Sequence, residues 1–306
     1  MSFESCLSAV ATETEATLDR LLSRATLQGA GACPERLLRG MRYASLGGGK
    51  RIRPFLVVAS ADLFAVPRPQ SLMVGAALEL VHCYSLVHDD LPQMDNDDLR
   101  RGRPTAHRAF DEATAILIGD ALLTFAFDVI SQAGVSPSAA VRLKLVQALA
   151  RAAGLCGMAG GQLLDLAAEG RFANGLPLQL DEPAILALQA MKTGALLKFA
   201  SAAGAILGQA GTSERAALDR YGEIVGQAFQ IADDILDVEG DSAALGKAAH
   251  KDAHAGKATL VGIIGLTAAK ARLSGLVGEA EVALARFGDR AATLMQAARF
   301  IANRSI

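Results

Sequence analysis

Residues 76–103 read AALELVHCYSLVHDDLPQMDNDDLRRGR. The first twelve are strongly apolar and predict a buried helix, which ends in charge because five aspartates are followed at once by three arginines. Pro92 disfavours helical backbone at Leu91 and has no N–H, so we expect the helix to bend or end there. That would let Asp95 fold back toward Asp89. A solvated helix end is the ordinary explanation of such a run taken alone.

Composition places this helix in an all-α fold. The chain has 306 residues, 60 alanines and only 5% aromatic residues, a bias toward helix and away from sheet. No segment has the period of a strand, and connections are short. We therefore predict one domain over residues 1–306, a bundle of roughly ten or more helices around a central cavity. The expected helices are 4–27, 34–45, 52–65, 70–91, 111–133, 137–169, 181–209, 213–238, 257–275 and 279–303.

Charge and cysteine content exclude several classes of protein. Thirty Lys and Arg stand against 32 Asp and Glu, so no global basic field favours nucleic acid or an anionic membrane surface. The four cysteines form no C-x-x-C pair, which argues against a zinc site or a disulfide framework and fits a reducing cytosol. The N-terminus lacks the pattern of a signal peptide, and the longest charge-free run, residues 199–213, is too short for a bilayer. We expect a cytoplasmic protein without a membrane span.

A second acidic cluster, FQIADDILD, occupies residues 229–237. Asp233 and Asp237 are four residues apart and share one helix face, whereas Asp234 is rotated from Asp233 by about 100°. Like charges on one face destabilise a helix unless a cation lies between them. Mg²⁺ is typically held by one or two carboxylates together with substrate phosphates. Two such clusters predict several metal ions that together bind one polyanionic substrate.

Basic residues follow glycines where such a polyanion would need them. The segment GGGKRIRP, residues 47–54, places Lys50 and Arg53 where backbone N–H groups can also approach a phosphate. It is not a Walker A loop, because Lys50 is not followed by Ser or Thr. Taken singly, a lysine beside a glycine is usually a surface residue. Three further lysines lie close to glycine: Lys192, Lys247 and Lys257.

Together these motifs resemble the short-chain trans-isoprenyl diphosphate synthases, most closely the bacterial farnesyl diphosphate synthases. The first aspartate-rich motif of that family, D-D-x(2–4)-D, is matched by residues 89–95 with the four-residue spacer of the bacterial type. The second, D-D-x-x-D, is matched by residues 233–237. Their joint occurrence with GGGKRIRP, the pair Arg100 and Arg101, and the segments MKTG and FQ is specific, whereas one motif alone would be weak. The match extends over residues 43–257.

The resemblance implies a role for each matching residue. Roughly three Mg²⁺ ions per site, replaceable by Mn²⁺, would be held by Asp89, Asp90, Asp95, Asp233 and Asp237, with Asp234 in the same catalytic cluster. The allylic diphosphate would bind Arg100, Lys192, Lys247 and Lys257. Isopentenyl diphosphate would bind Lys50, Arg53, His82 and Arg101. Thr193 and Gln230 would turn oxygen dipoles toward the carbocation.

The implied reaction is largely electrostatic. Positive charge stabilises the departing diphosphate, the allylic C–O bond ionises, the double bond of isopentenyl diphosphate attacks the cation, and the released diphosphate removes a proton. We predict a homodimeric prenyltransferase that joins isopentenyl diphosphate to dimethylallyl or geranyl diphosphate by 1'-4 coupling and yields farnesyl diphosphate. The alternative is a geranylgeranyl diphosphate synthase. A terpene cyclase is more remote, because its second acidic motif is absent, and so is a non-catalytic synthase subunit, because both aspartate motifs are intact.

Product length is expected to depend on side chains beneath Asp89. Ser85 and Tyr84 lie roughly 6 and 7.5 Å down the helix axis. Helix geometry alone favours Ser85, which is about 40° from the face of Asp89. The resemblance instead associates an aromatic residue five positions before the first aspartate with a C15 product. We therefore predict that Tyr84 stops the growing chain.

Overall fold

The computed structural model describes residues 2–27, 33–243 and 259–303. Almost all of its regular structure is helical, which confirms the all-α prediction. The chain divides into two compact units. The first comprises residues 1–146 with 206–208, and the second comprises residues 147–205 with 209–306. That the whole chain acts as one domain stays a prediction.

The first unit is built on one long buried helix. Its helices are α1 (Phe3–Leu21), α2 (Arg24–Leu27), α3 (Glu35–Ser45), α4 (Ile52–Asp62), α5 (Arg68–Asp89), α6 (Ala106–Ala109) and α7 (Glu112–Ser131). Strands β1 (Leu99–Arg100) and β2 (Arg103–Pro104) lie between α5 and α6, and α8 (Ala139–Ala153) follows where the units divide. Helix α5 packs against α1, α3, α4 and α7. Every residue from Met73 to Val81 is buried, so the apolar stretch is the centre of this unit, as its sequence predicts.

Two helices of the first unit are long and apolar enough to cross a membrane by length and composition alone, α5 and α7. In α5, 72% of the apolar window is buried, the property of a core helix in a folded domain. In α7 only 39% is buried, and Ile116 and Leu117 lie exposed on its surface. Helix α7 therefore presents an apolar face beyond the one that packs on α5.

The second unit is built on the helix that carries the second acidic cluster. Its helices are α9 (Met158–Ala168), α10 (Glu182–Gln189), a π-helical segment (Ala190–Gly194), α11 (Ala195–Leu207), α12 (Thr212–Ala243), α13 (Leu260–Ile264), α14 (Leu266–Leu284), a 3₁₀ segment (Ala285–Ala291) and α15 (Ala292–Ala302). Helix α12 packs against the π segment and against α13, α14 and α15. At its centre the buried Tyr221 hydroxyl donates a hydrogen bond of 2.6 Å to the Leu294 carbonyl.

The predicted helices 4–27 and 257–275 are each divided, the first after Leu21 and the second at Gly265, whose φ is 82°. Three further expectations about local structure are wrong. The helix predicted over 137–169 is two helices, because Gly157 turns so sharply that a Cβ there would lie 2.2 Å from the Ala152 oxygen. The break expected near residues 275–279 is absent: α14 runs through Gly275 and Gly278, since its buried leucines outweigh the modest cost of glycine in a helix. A short antiparallel pair, β1 with β2, interrupts the helices where no strand was expected.

Candidate active site

The first aspartate-rich motif forms a tight turn at the end of α5. The helix stops at Asp89, and the Asp95 N–H donates a hydrogen bond of 2.8 Å to the Asp89 carbonyl. The chain therefore folds back after Pro92, as predicted. The Asp95 side chain is exposed and that of Asp89 is partly exposed, so these two carboxylates lie at the surface of the unit.

The middle aspartate of this motif has a different environment. Asp90 is 3% exposed, and its Oδ1 accepts hydrogen bonds from Arg100 Nε at 2.7 Å and Nη2 at 2.6 Å. Burial raises the pKa of Asp90 above its usual value, and the Arg100 guanidinium opposes that rise. Asp90 therefore orients Arg100, while its predicted role as a metal ligand stays a prediction.

A β-hairpin turn presents the two arginines. Arg101 and Gly102, with φ of 53° and 73°, form the two central residues between β1 and β2. Positive φ at both centres is typical of a type I′ turn, for which glycine at the second position is favoured. Arg100 is thereby turned toward Asp90, and Arg101 donates a hydrogen bond to the Gly48 carbonyl.

The glycine-rich turn lies beside this hairpin, and the predicted isopentenyl residues meet around it. Lys50 is exposed, and Arg53 in the first turn of α4 lies with Nη1 3.4 Å from His82 Nε2. Burial lowers the pKa of His82 well below its usual value, and Arg53 and Arg101 lower it further. His82 is therefore neutral near pH 7. The structure brings Arg53, His82 and Arg101 together in one basic region.

The second aspartate-rich motif repeats the pattern of the first. Asp233 is partly exposed and Asp237 is exposed, whereas Asp234 is 8% exposed. Asp234 Oδ2 accepts hydrogen bonds from Gln189 Nε2 at 3.2 Å and from the Leu260 N–H at 3.1 Å. Burial raises the pKa of Asp234 to about 6, and these two donors oppose the rise. In both motifs, the middle aspartate holds local structure and the outer two lie at the surface.

Lys192 lies in the π segment, which the periodicity of the sequence did not reveal. Its Nζ forms an ion pair with Asp165 of α9. A Cβ at Gly161 would lie 2.2 Å from the Lys192 nitrogen, and one at Gly226 would lie 2.9 Å from the Gly194 Cα. Glycines on α9 and α12 therefore let both backbones approach this segment. Such π turns are frequent at functional sites.

The remaining predicted substrate residues are only partly located. Thr193 lies in the π segment, and Gln230 lies on α12 one turn before Asp233; both side chains are partly exposed. Lys247 and Lys257 lie outside the described residues. Their predicted contacts to an allylic diphosphate stay predictions.

The two candidates for the floor of a chain pocket differ in orientation. The Ser85 hydroxyl donates to the His82 carbonyl at 2.9 Å, so it is turned back onto its own helix. The Tyr84 ring instead packs edge-to-face on the His88 ring, with centroids 5.8 Å apart. Burial raises the pKa of Tyr84, and Asp89 raises it further. The His88 ring in turn packs directly on α7, because Gly119 has no side chain and leaves room for the ring.

The donor atoms suit a magnesium ion. Among the described residues, no three His, Cys, Asp or Glu side chains converge into a protein-only metal cage. Mg²⁺ takes one or two carboxylates, keeps several waters and completes its shell with substrate phosphate. The surface carboxylates Asp89, Asp95, Asp233 and Asp237 are hard oxygen donors of this kind.

Comparison with known proteins identifies relatives of this chain. The family described as Polyprenyl synthetase matches residues 34–287. Farnesyl diphosphate synthase from Escherichia coli is 45% identical over 252 residues, 82% of each chain. Geranylgeranyl pyrophosphate synthase from Catharanthus roseus is 40% identical over 273 residues, 89% of this chain and 74% of that one.

A solved structure extends the match to nearly the whole chain. The apo structure of an FPP/GFPP synthase from Zymomonas mobilis is 42% identical, with a TM-score of 0.86 over 98% of both chains. The family match covers well over half of the chain and includes both aspartate-rich motifs and the glycine-rich turn. The chain therefore belongs to the polyprenyl synthetase family.

Proposed function

We propose that this chain is a trans-prenyltransferase that condenses isopentenyl diphosphate with dimethylallyl or geranyl diphosphate to give farnesyl diphosphate. The observation that carries the proposal is the pair of aspartate-rich motifs, each with two surface carboxylates beside one buried aspartate that orders its surroundings. Relatives named as farnesyl diphosphate synthases support the reaction at 40–45% identity.

Isopentenyl diphosphate is assigned to the basic region of the first unit. Lys50, Arg53, His82 and Arg101 would bind its diphosphate. Burial, together with the nearby arginines, lowers the pKa of His82 and keeps it neutral, so it would donate one N–H to a phosphate oxygen without adding a fixed charge. The N-terminus of α4 adds backbone N–H groups and a positive dipole end.

The allylic diphosphate is assigned to Arg100 and Lys192. Each of these cations already has a carboxylate partner, Asp90 and Asp165 respectively. Such pairing fixes a long flexible side chain before the substrate arrives, so less rotamer entropy is lost on binding. Preorganised charge of this kind stabilises a developing anion best.

Mg²⁺ bound at Asp89, Asp95, Asp233 and Asp237 would supply positive charge to the departing diphosphate. The protein's own part is to orient Arg100 and Lys192 on that diphosphate and to direct the oxygens of Thr193 and Gln230 toward the allylic carbon. The released diphosphate would accept the proton lost from the coupled product.

Farnesyl diphosphate is favoured over geranylgeranyl diphosphate because of Tyr84. Its ring packs on that of His88, the residue before Asp89, and lies further down α5, where a growing tail would arrive. Farnesyl and geranylgeranyl diphosphate synthases match this chain at 45% and 40% identity, so identity alone does not separate the two products. The aromatic pair of Tyr84 and His88 is the structural feature that favours the C15 product.

We further propose a cytoplasmic homodimer. The apolar residues Ile116 and Leu117 on α7 are 45% and 56% exposed, and adjacent apolar side chains of this size favour a protein partner over water. Light scattering after size-exclusion chromatography tests the assembly: a mass near twice 31.7 kDa is expected.

Product analysis tests the reaction. Purified protein with Mg²⁺, geranyl diphosphate and labelled isopentenyl diphosphate should yield labelled farnesyl diphosphate. Asp89→Ala should abolish the product, whereas Asp98→Ala should not, because Asp98 is an exposed partner of Arg108 outside the motif. Consumption of geranyl diphosphate without incorporation of label would indicate a cyclase instead. No product at all would indicate a non-catalytic subunit.

A further inference from the structure

We propose that Arg51 is a positioning residue of the isopentenyl diphosphate site. Its buried guanidinium ties the glycine-rich turn, residues 47–50, to helices α1 and α5. This inference rests on the proposed function, because it concerns the turn to which isopentenyl diphosphate is assigned. The sequence motifs assign no role to Arg51, which lies between Lys50 and Arg53.

Arg51 is the most buried cation of the basic region. Its side chain is 2% exposed and reaches three acceptors from three elements. Nη1 donates to Glu79 Oε1 on α5 at 2.5 Å, and Nη2 donates to Glu15 Oε2 on α1 at 2.6 Å. Nη2 also donates to the Ser45 carbonyl at 2.6 Å. One side chain therefore joins α1, α3 and α5.

The Ser45 contact closes the turn at its base. Ser45 is the last residue of α3, and Arg51 is the residue before α4, so this hydrogen bond joins the two ends of the connecting loop. Between them Gly48 and Gly49 have φ of 72° and 123°, a conformation that glycine adopts freely and also leaves freely. A turn of such residues keeps one shape only where other contacts fix it.

The backbone of Arg51 is itself strained. Its φ and ψ of 48° and 42° lie in the left-handed region, which is unfavourable for a residue with a Cβ. The three side-chain contacts hold the residue there despite that cost. Glycine at this position would relieve the strain but would lose the contacts. At this position an unfavourable backbone conformation is therefore tolerated because the side-chain contacts fix the turn.

Fixing Arg51 fixes its neighbours on both sides. Lys50 precedes it directly, and Arg53 follows in the first turn of α4. Glu79, which accepts from Arg51, lies one turn before His82, which lies beside Arg53. The same stretch of α5 thus sets both the anchor and the histidine of the basic region. A shift of the anchor would move Lys50 and Arg53 relative to His82.

Glu15→Gln tests the proposal with little risk to the fold. Glu15 is 35% exposed, so its neutral amide remains partly solvated, while the α1 arm of the anchor loses its charge. We expect KM for isopentenyl diphosphate to rise at least about fivefold, with kcat and KM for geranyl diphosphate within about twofold of wild type. Glu13→Gln is the matched control. It neutralises a glutamate on the same helix whose partner is Arg68, away from the turn, and it should change neither KM.

Arg51→Lys provides the second variant. Lysine keeps the charge but lacks the planar fork that reaches several acceptors at once. It should raise KM for isopentenyl diphosphate by more than Glu15→Gln does, and circular dichroism must show the wild-type spectrum. An ion pair that only stabilises the fold would lower the melting temperature and leave both KM values unchanged. That result in Glu15→Gln, or equal increases in the two KM values, overturns the proposal.

Direct binding separates this inference from the proposed function. Calorimetric titration with isopentenyl diphosphate needs no turnover, and Glu15→Gln should bind it at least about fivefold more weakly than wild type and Glu13→Gln. If the wild type binds isopentenyl diphosphate but forms no product, the proposed reaction is wrong and the titration still decides the role of Arg51. A wild type that does not bind it overturns the assignment of the turn and this inference with it.

Discussion

Replacing Tyr84 with alanine should lengthen the product. The Tyr84 ring packs on His88, and α7 holds His88 in place because its Nε2 lies 3.0 Å from the Ile116 carbonyl oxygen. Removing the Tyr84 ring therefore opens space on α5 beside a His88 ring that α7 keeps in place. We expect a shift from farnesyl diphosphate toward geranylgeranyl diphosphate.

The size of the shift follows from the apolar carbons that the space would bury. One more isoprene unit adds five carbons, which are worth about 0.8 kcal/mol each when fully buried, or about 4 kcal/mol together. Tyr84 is only partly buried, so about half of this gain is available. About 2 kcal/mol corresponds to a rise of roughly 30-fold in the ratio of C20 to C15 product.

Chromatography of dephosphorylated products, formed under excess isopentenyl diphosphate, measures this ratio. Tyr84→Phe is the control, since it keeps the ring and removes only the hydroxyl, and it should still stop at C15. An unchanged C15 product from Tyr84→Ala would show that Tyr84 is not the floor. A wild type that already makes C20 would refute the reasoning from the aromatic pair.

Three further predictions concern the metal, the two substrates and pH. EDTA should abolish turnover because it removes the metal ions. Asp89→Ala and Asp233→Ala should each lower kcat by several orders of magnitude with an unchanged circular dichroism spectrum. Normal activity in either variant would exclude its aspartate from metal binding. Arg53→Ala should raise KM for isopentenyl diphosphate roughly tenfold or more, whereas Lys192→Ala should weaken the allylic substrate, and equal effects would show that the two sites are wrongly assigned. Because the pKa of His82 is lower in the folded chain than its usual 6.5, the unfolded chain takes up the proton first, so stability should fall by up to about 1.4 kcal/mol for each pH unit below 6.5. Thermal unfolding between pH 7.5 and 5.5 measures this loss, and a similar loss in His82→Gln would assign it to other groups.

Local chemistry made much of the fold predictable. The apolar run before Asp89 predicted the buried helix, and Pro92 predicted the turn that brings Asp95 back. These features depend on residues within one or two turns of each other. Helix α5 ends at Asp89, shortly before Leu91, whose backbone conformation is restricted because a proline follows it; this rule needs no tertiary contact.

Contacts between distant segments could not be predicted in the same way. Lys192 and Asp165 are 27 residues apart, and Gln189 and Asp234 are 45 apart. Nothing in either local pattern indicates the partner. The burial of Asp90 is a similar case, because its environment depends on Arg100, which reaches it only through the hairpin. The resemblance to a family named Asp90 and Asp234, but only tertiary structure separates these buried middle aspartates from the outer ones.

The π segment makes this part of the chain tolerant of one change in length. A π turn contains about one residue more than an α turn. Deleting one residue of Ala190–Gly194 would let the helix close into regular α geometry, and the helix beyond would keep nearly its present direction, because the wide turn already absorbs the extra residue. Lys198, which forms an ion pair with Glu223 at 2.8 Å, would still face its partner. The same deletion inside a regular helix such as α12 would rotate everything beyond it by about 100° and draw it back by about 1.5 Å. A homologue aligned with a one-residue gap at this segment would therefore have the same helix direction beyond it.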